Sequence, residues 1–454
     1  MRLLGCSFAC FVGVLVSSSA QCASLKEAVE TAVLTSPDIV EAAASRRVRD
    51  RDLRASQSAF LPKLSINASF GAERLRKVQF NDNEYWRAAK QVSIEAEQLL
   101  FDGFGSVNDI YRQSARVEGA ALRVLEKSEM IALDAIEAYI DVLRHQKLLK
   151  RSLENTALHQ QLAEQVKERY VGGAISVSDL AQVQERVAAT RVITAGVRKS
   201  LLDAMAKYRR VIGVAPSDLS AVPAAEAGAA NSLSAALTLS RKNNPMILSA
   251  RADSDAAGYS VKQAKSPFLP RITMTGFANF GDDMNGYEGR SDDYRVMFRM
   301  KWNLFNGGYD KAMRGRAVEQ LAETQARVDR VRRQTDEAVE QGWASVQTTQ
   351  ERITALRQVV SANERVVDGY RQEYNIGRRS LLDVLNAENA LFGSQVDLIS
   401  AQYILKFSTY QLQGSMGQLL AGFDITPPLE SRADPHREVS ILPAAAGFTL
   451  EPLR

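Results

Sequence analysis

The chain has 454 residues, with 57 basic and 53 acidic side chains and a net charge of +4. Charges this balanced and dispersed exclude the clustered basic footprint of a nucleic-acid-binding protein, and a 45% hydrophobic content excludes a disordered chain. Cys6, Cys10 and Cys22 all lie at the start of the sequence and His145, His159 and His436 are scattered, which excludes a zinc site, an iron–sulfur cluster and a disulfide framework.

The first 22 residues read as a secretory signal peptide. Met1 and Arg2 form a short basic region, Leu3 to Val16 an apolar stretch, and Ser17 to Ala20 a run of small residues. Cleavage after Ala20, Cys22 or Ala23 is compatible with this pattern. Lipidation at Cys22 is the rival reading, weakened by Gln21, where a lipoprotein signal needs a small residue. No stretch of about 18 apolar residues follows, so a helical membrane span is not expected.

Two strands come next, at about 63–71 and 91–101. Leu64, Ile66, Ala68 and Phe70 alternate with Lys63, Ser65, Asn67 and Ser69; Val92, Ile94 and Ala96 alternate with Gln91, Ser93, Glu95 and Glu97. A period of two means strand. A polar loop, Ala72 to Arg87, joins them. After a Phe101-Asp-Gly103-Phe104 turn, helix-forming residues run without proline over about 104–171, and a second such run covers about 179–212. Proline breaks a helix interior at a cost of ~3 kcal/mol, so its absence permits very long helices; the first run would reach about 100 Å. Gly172-Gly173 separates the two runs, and Ser178 or Asp179 suits the start of the second.

A linker rich in Ala, Pro and Gly, 213–231, precedes a second copy of the same plan over 232–416. Leu25, Pro37, Phe60, Leu61 and Pro62 recur 208 positions on as Leu233, Pro245, Phe268, Leu269 and Pro270. Phe101 and Gly103 recur 204 positions on as Phe305 and Gly307, and Tyr170, Gly173, Ser176 and Asp179 as Tyr374, Gly377, Ser380 and Asp383. Agreement in spacing and residue type at these eleven places marks an internal duplication of the 23–212 unit. The second strands fall at about 271–280 and 294–304, joined by Gly281 to Asp292. In the latter strand Tyr294, Val296, Phe298, Met300, Trp302 and Leu304 oppose Arg295, Arg299, Lys301 and Asn303. The second helices fall at about 309–375 and 381–416, started by Ser380 or Asp383. A proline-containing tail, 417–454, has no counterpart.

Strands of about ten residues with alternating polarity fit both an amphipathic sheet on a soluble core and a membrane-spanning β-sheet. Four of them, in duplicated pairs behind a signal peptide, favour the membrane. Four strands cannot close a barrel, since single-chain barrels start at about eight, and open edges are not tolerated in lipid. Several chains must then share one barrel. The helices alone are equally compatible with a periplasmic coiled-coil rod or adaptor, which needs no lipid-facing strand.

No enzyme motif stands out. Gly103-x-Gly105 lacks the third glycine of a dinucleotide site, and neither a phosphate-binding Gly-x-x-x-x-Gly-Lys nor a Gly-x-Ser-x-Gly elbow occurs. His145 and His159 read as polar-face helix residues. No catalytic residue, cofactor or metal site is expected.

The signal peptide, the duplicated halves, the Phe-Asp-Gly-Phe and Phe-Asn-Gly-Gly strand–helix turns and the Tyr-x-x-Gly-x-x-Ser-x-x-Asp hairpin tips together resemble the TolC family over about Ser24 to Met416. Gln98 to Phe104 and Ala132 to Arg144 look like its type I secretion branch. The resemblance implies an α+β membrane protein: a homotrimer with a 12-stranded outer-membrane barrel, four strands per chain, and a periplasmic α-barrel of long hairpins. It implies a duct of a Gram-negative outer membrane that passes a secreted protein substrate, served by a periplasmic adaptor and an inner-membrane ABC transporter. Efflux of small molecules through the same kind of duct is the alternative. By the same resemblance Asp179, Tyr374, Arg379 and Asp383 fall at the periplasmic constriction, with Tyr374 and Arg379 bonding Asp179. Asn386 stands where the family carries a second aspartate. Gly172, Gly173, Ser176, Gly377 and Ser380 fall on the adaptor-docking tips.

Overall fold

A computed structural model describes residues 24–74, 86–223, 230–285 and 288–433. The signal peptide with its three cysteines, 75–85 of the first strand loop, 224–229 of the linker, 286–287 of the second strand loop and the tail from 434 onward lie outside the described residues.

The elements follow one another twice in the same order. Helices α1 (Leu25–Thr35) and α2 (Pro37–Gln57) lead into strands β1 (Lys63–Glu73) and β2 (Arg87–Phe101), then helices α3 (Gly105–Val171) and α4 (Val177–Ile212). The second series is α5 (Leu233–Asn243), α6 (Pro245–Gln263), β3 (Arg271–Asp282), β4 (Arg290–Lys301), α7 (Tyr309–Asn375) and α8 (Leu381–Ser415). A short α9 (Leu419–Gly422) follows in the tail region. Among the described residues no helix is long and apolar enough to cross a membrane.

Five helices, α1, α2, α5, α6 and the short α9, fall where the sequence pattern predicts no element. Pro37 and Pro245 each stand at the first turn of a helix, where the missing N–H costs nothing; they mark starts that proline counting reads only as breaks. Strand β2 begins at Arg87, four residues before the expected start, and β4 spans Arg290–Lys301 and not 294–304. Their ends continue the alternation into residues whose charge makes them read as loop, because the partner strand supplies the hydrogen bonds that propensity does not. Helix α4 starts at Val177, with Ser176 and not Ser178 or Asp179 as its cap.

The chain divides into two compact units. One contains α1, α4, residues 134–171 of α3, the C-terminal part of α7 from 349, and α8 up to 407. Here Ala28, Val29 and Ala32 of α1 are fully buried, as are Tyr208 and Ile212 of α4. The Tyr139 hydroxyl donates to the Ser220 carbonyl at 2.9 Å. Between α3 and α4 the core turns polar: Ser152 and Thr194 share a hydrogen bond of 2.6 Å, and Thr156 joins Thr194 at 3.1 Å. His159 lies in this seam, 2% exposed, with its Nδ1 2.9 Å from the Asn155 carbonyl. It is therefore a buried core residue, not the polar-face residue expected.

The other unit contains α2, the sheet, α5, α6, the start of α3 and of α7, and the end of α8 with α9. Leu53, Ile110 and Val117 pack with Phe60, and Ala236, Val339, Leu412 and Met416 form a second cluster. Tyr111 and Tyr259 stack at 5.4 Å, and Arg241 grips Asp336 through Nε and Nη2 at 2.9 and 2.8 Å. Glu129, 8% exposed, accepts the backbone N–H groups of Leu419 and Leu420 at 3.0 and 3.4 Å, tying α9 to α3.

Candidate functional site

The four strands form one antiparallel sheet in the order β1-β2-β3-β4. Alternation within a strand says only that it has an apolar face; the register decides whether four such faces coincide. Here they do. Ile66 pairs with Ile94, Ala68 with Val92, Ile94 with Ala278, Ile272 with Met300 and Met274 with Phe298. One face of the sheet is thus apolar across all four strands, and Ile66, Phe70, Val296 and Phe298 on it are 67, 77, 75 and 71% exposed. The opposite face carries the polar partners: Ser65 opposite Glu95, Asn67 opposite Ser93, Thr273 opposite Arg299 and Asn279 opposite Asp293. A contiguous exposed apolar surface of this kind needs a non-aqueous neighbour. Strands β1 and β4 each pair on one side only, so both edges leave backbone donors and acceptors open.

The strand–helix turns repeat a rare backbone. Gly103 and Phe104 adopt φ of 67° and 64°, and Gly307 and Gly308 adopt 57° and 82°. A Cβ on Gly103 would sit 2.6 Å from the Ser266 carbonyl oxygen and 2.8 Å from Leu269 Cβ, so glycine is required there by space as well as by φ. Phe104 pays the left-handed strain that Gly308 avoids, and its ring meets Phe101 edge-on at 5.4 Å. Asp102 closes the turn by accepting from the Ser106 amide at 2.8 Å and its hydroxyl at 2.6 Å.

The hairpin tips are built alike. Gly173 and Gly377 take φ of +74° and +75°, and the amides of Ala174 and Arg378 return to the carbonyls of Arg169 and Glu373 at 2.9 and 2.8 Å, closing the ends of α3 and α7. Gly172 precedes the first of these turns, its amide bonded to the Glu168 carbonyl at 3.0 Å. Ser176 then opens α4 with a capping box: its hydroxyl accepts from the Asp179 amide at 3.2 Å and its own amide donates to Asp179 Oδ2 at 3.2 Å. Ser380 caps α8 through its hydroxyl, which accepts from the Asp383 amide at 3.2 Å and donates to Asp383 Oδ2 at 2.8 Å.

The expected bonds from Tyr374 and Arg379 to Asp179 do not form within one chain. The Asp179 carboxylate is occupied by Ser176, whose hydroxyl donates to it at 2.9 Å. Arg379 finds nearer partners on its own hairpin: Nε donates to Glu373 at 2.8 Å, Nη1 lies 3.9 Å from Asp383, and the guanidinium stands 4.0 Å from the Tyr370 ring centre. The bond to Glu373 pushes the Arg379 pKa above its already high ordinary value. Tyr374 packs against Val166, Val183, Leu381 and Leu385, with the Arg169 guanidinium 4.9 Å from its ring centre. Asn386 accepts from Arg186 at 3.5 Å.

Several residues here escaped sequence reasoning. Arg151 Nε donates to Gln395 at 2.7 Å, and Arg371 Nε donates to Glu388 at 2.6 Å. Glu388 is 3% exposed, although on a helix dense with mixed charge it reads as solvated. No signal short of knowing which helix faces meet would have marked it. Among the described residues no group of His, Cys, Asp and Glu is placed to hold a metal ion.

Comparison with known proteins accords with this geometry. The family model for outer membrane efflux proteins matches residues 28–214 and again 236–418. The outer membrane efflux protein BepC of Brucella suis biovar 1 is 26% identical over 411 residues, covering 90% of this chain and 88% of its own. The outer membrane protein TolC of Vibrio cholerae serotype O1 is 22% identical over 422 residues, covering 89% and 93%. The solved structure of CusC superposes with a TM-score of 0.78 at 17% identity, covering 86% of this chain and 91% of that one. Two matches of the family model that together take in most of the chain, one on each side of the linker, establish that this protein belongs to the outer membrane efflux protein family, the TolC family, and is an outer-membrane channel.

Proposed function

We propose that the protein is the outer-membrane duct of a tripartite type I secretion system, assembled as a homotrimer and passing a protein substrate from an inner-membrane ABC transporter through a periplasmic adaptor. The observation that carries the assembly is the sheet: one apolar face continuous over four strands, with both edges open. In lipid every backbone group must be paired. Three copies joined edge to edge supply the twelve strands of a closed barrel, with apolar faces toward lipid and polar faces toward a lumen. The secretion branch is supported by the sequence resemblance at Gln98–Phe104 and Ala132–Arg144.

In this reading Gly172, Gly173, Ser176, Gly377 and Ser380 form the adaptor-docking turns. Asp179, Tyr374, Arg379 and Asp383 line the resting constriction, with bonds to Asp179 made between hairpins of neighbouring copies. With neutral Asn386 beside them, Asp383 supplies the acidic ring there. The two repeats, 23–212 and 232–416, contribute equivalent hairpins. The duct reading predicts a detergent-dependent trimer that conducts in planar bilayers; a soluble monomer would end it. The cargo reading predicts that deleting the gene removes a specific protein from the culture medium while drug susceptibility is unchanged. The likeness to BepC, an outer membrane efflux protein, favours a second reading, small-molecule efflux. Hypersusceptibility with an intact set of secreted proteins would select it.

A further inference from the structure

The polar face of the sheet is not evenly charged. Proceeding from the strand ends that join α3 and α7, the first rows place Arg271 beside Lys301, then Leu99 and Thr273 beside Arg299, then Lys63 beside Glu97. Four cations therefore share this end of one face with a single carboxylate. Glu97 lies 3.8 Å from Arg271, at the limit of an ion pair, and among the described residues Lys63, Arg299 and Lys301 have no carboxylate within salt-bridge distance. The rows beyond are balanced: Glu95 stands two places from Arg295 across Phe277, and Arg295 is itself bonded to Asp293.

Unpaired cations gathered on one wall raise the local concentration of anions, most strongly where low-dielectric walls focus the field. We propose that Lys63, Arg271, Arg299 and Lys301 form a basic belt inside the barrel, at its helix-proximal end, that attracts the acidic segments of a passing polypeptide. The belt rests on the reading of the chain as a trimeric duct, which repeats it in each copy and brings the β4 cations of one copy toward Lys63 of the next. It opposes in sign the acidic ring assigned to Asp383.

The test uses the full trimer in a planar bilayer with poly-glutamate added on the loop side, and poly-lysine as control. Poly-glutamate should block the current, poly-lysine should not, and the block should weaken on the order of tenfold in the triple variant Lys63→Gln, Arg299→Gln, Lys301→Gln, as expected for loss of focused charge. Arg299→Lys, which keeps the charge, should block like the wild type, and the block should fade as salt rises. A heat-stable, conducting triple variant blocked as strongly as the wild type overturns the belt. A chain that forms no conducting trimer overturns both the belt and the duct on which it depends.

Discussion

The tether between Glu129 and α9 offers the sharpest test of the packing. Glu129 is 8% exposed and accepts two backbone N–H groups, from Leu419 at 3.0 Å and Leu420 at 3.4 Å. Burial pushes its pKa up to about 7 from an ordinary 4.5, and the two N–H bonds only partly pull it back. The folded chain therefore holds this proton between about pH 4.5 and 7 while the unfolded chain has lost it, so stability falls as pH rises through that window. Below it both states are protonated and no penalty applies; above it the ionised carboxylate is buried at full cost, about 3 kcal/mol at ~1.4 kcal/mol per pKa unit. Glu129→Gln keeps an oxygen to accept the same amides and cannot ionise. It should gain about 1–2 kcal/mol at pH 8, after the weaker neutral hydrogen bonds are allowed for, and nothing at pH 5. Glu129→Leu strands both donors and should lose about 1–3 kcal/mol for each, at either pH. Urea unfolding at pH 5 and pH 8, with amide exchange of residues 412–425 as a local readout, measures both variants. If the wild type is equally stable at the two pH values, or Glu129→Gln retains the wild-type slope, the tether is not the group that titrates.

Other perturbations probe different parts of the chain. Arg371→Met should destabilise the second hairpin by about 2–3 kcal/mol, because Glu388, 3% exposed, is left charged without a partner; adding Glu388→Leu should recover most of it in the same melt. Gly103→Ala should cost more than about 2 kcal/mol, since its Cβ would stand 2.6 Å from a backbone oxygen in a left-handed residue. Phe104→Gly relieves about 1 kcal/mol of strain but loses a ring contact of similar worth, and should be near neutral. Val296→Arg places a charge at mid-strand on the apolar face and should reduce trimer stability by about 2–4 kcal/mol, whereas Met297→Arg, on the polar face, should be tolerated; heat-stable trimer on gels separates the two. Arg379→Ser with Tyr374→Phe should raise resting conductance if the tips form the constriction, and conductance equal to wild type leaves them as caps and packing alone.

Much of this protein was legible in its sequence because its signals are local. Strand alternation at Lys63 to Phe70 and Tyr294 to Met300, helix runs free of proline and glycine-broken tips each depend on neighbours a few positions apart, and the duplication repeats them. The open-edge argument for assembly needed only a strand count. Tertiary structure decided what depends on pairing and burial. The register that stacks four apolar faces, and so gathers Lys63, Arg271, Arg299 and Lys301 on the other side, is a property of strand pairs, not of any strand. Within one chain Arg379 bonds Glu373 on its own hairpin, and Asp179 completes the capping box of Ser176. His159, Glu129 and Glu388 look like any polar residue on a charged helix, and only the helix or segment laid over each one removes its water. Burial is a relation between distant segments, which is why no window of sequence contains it.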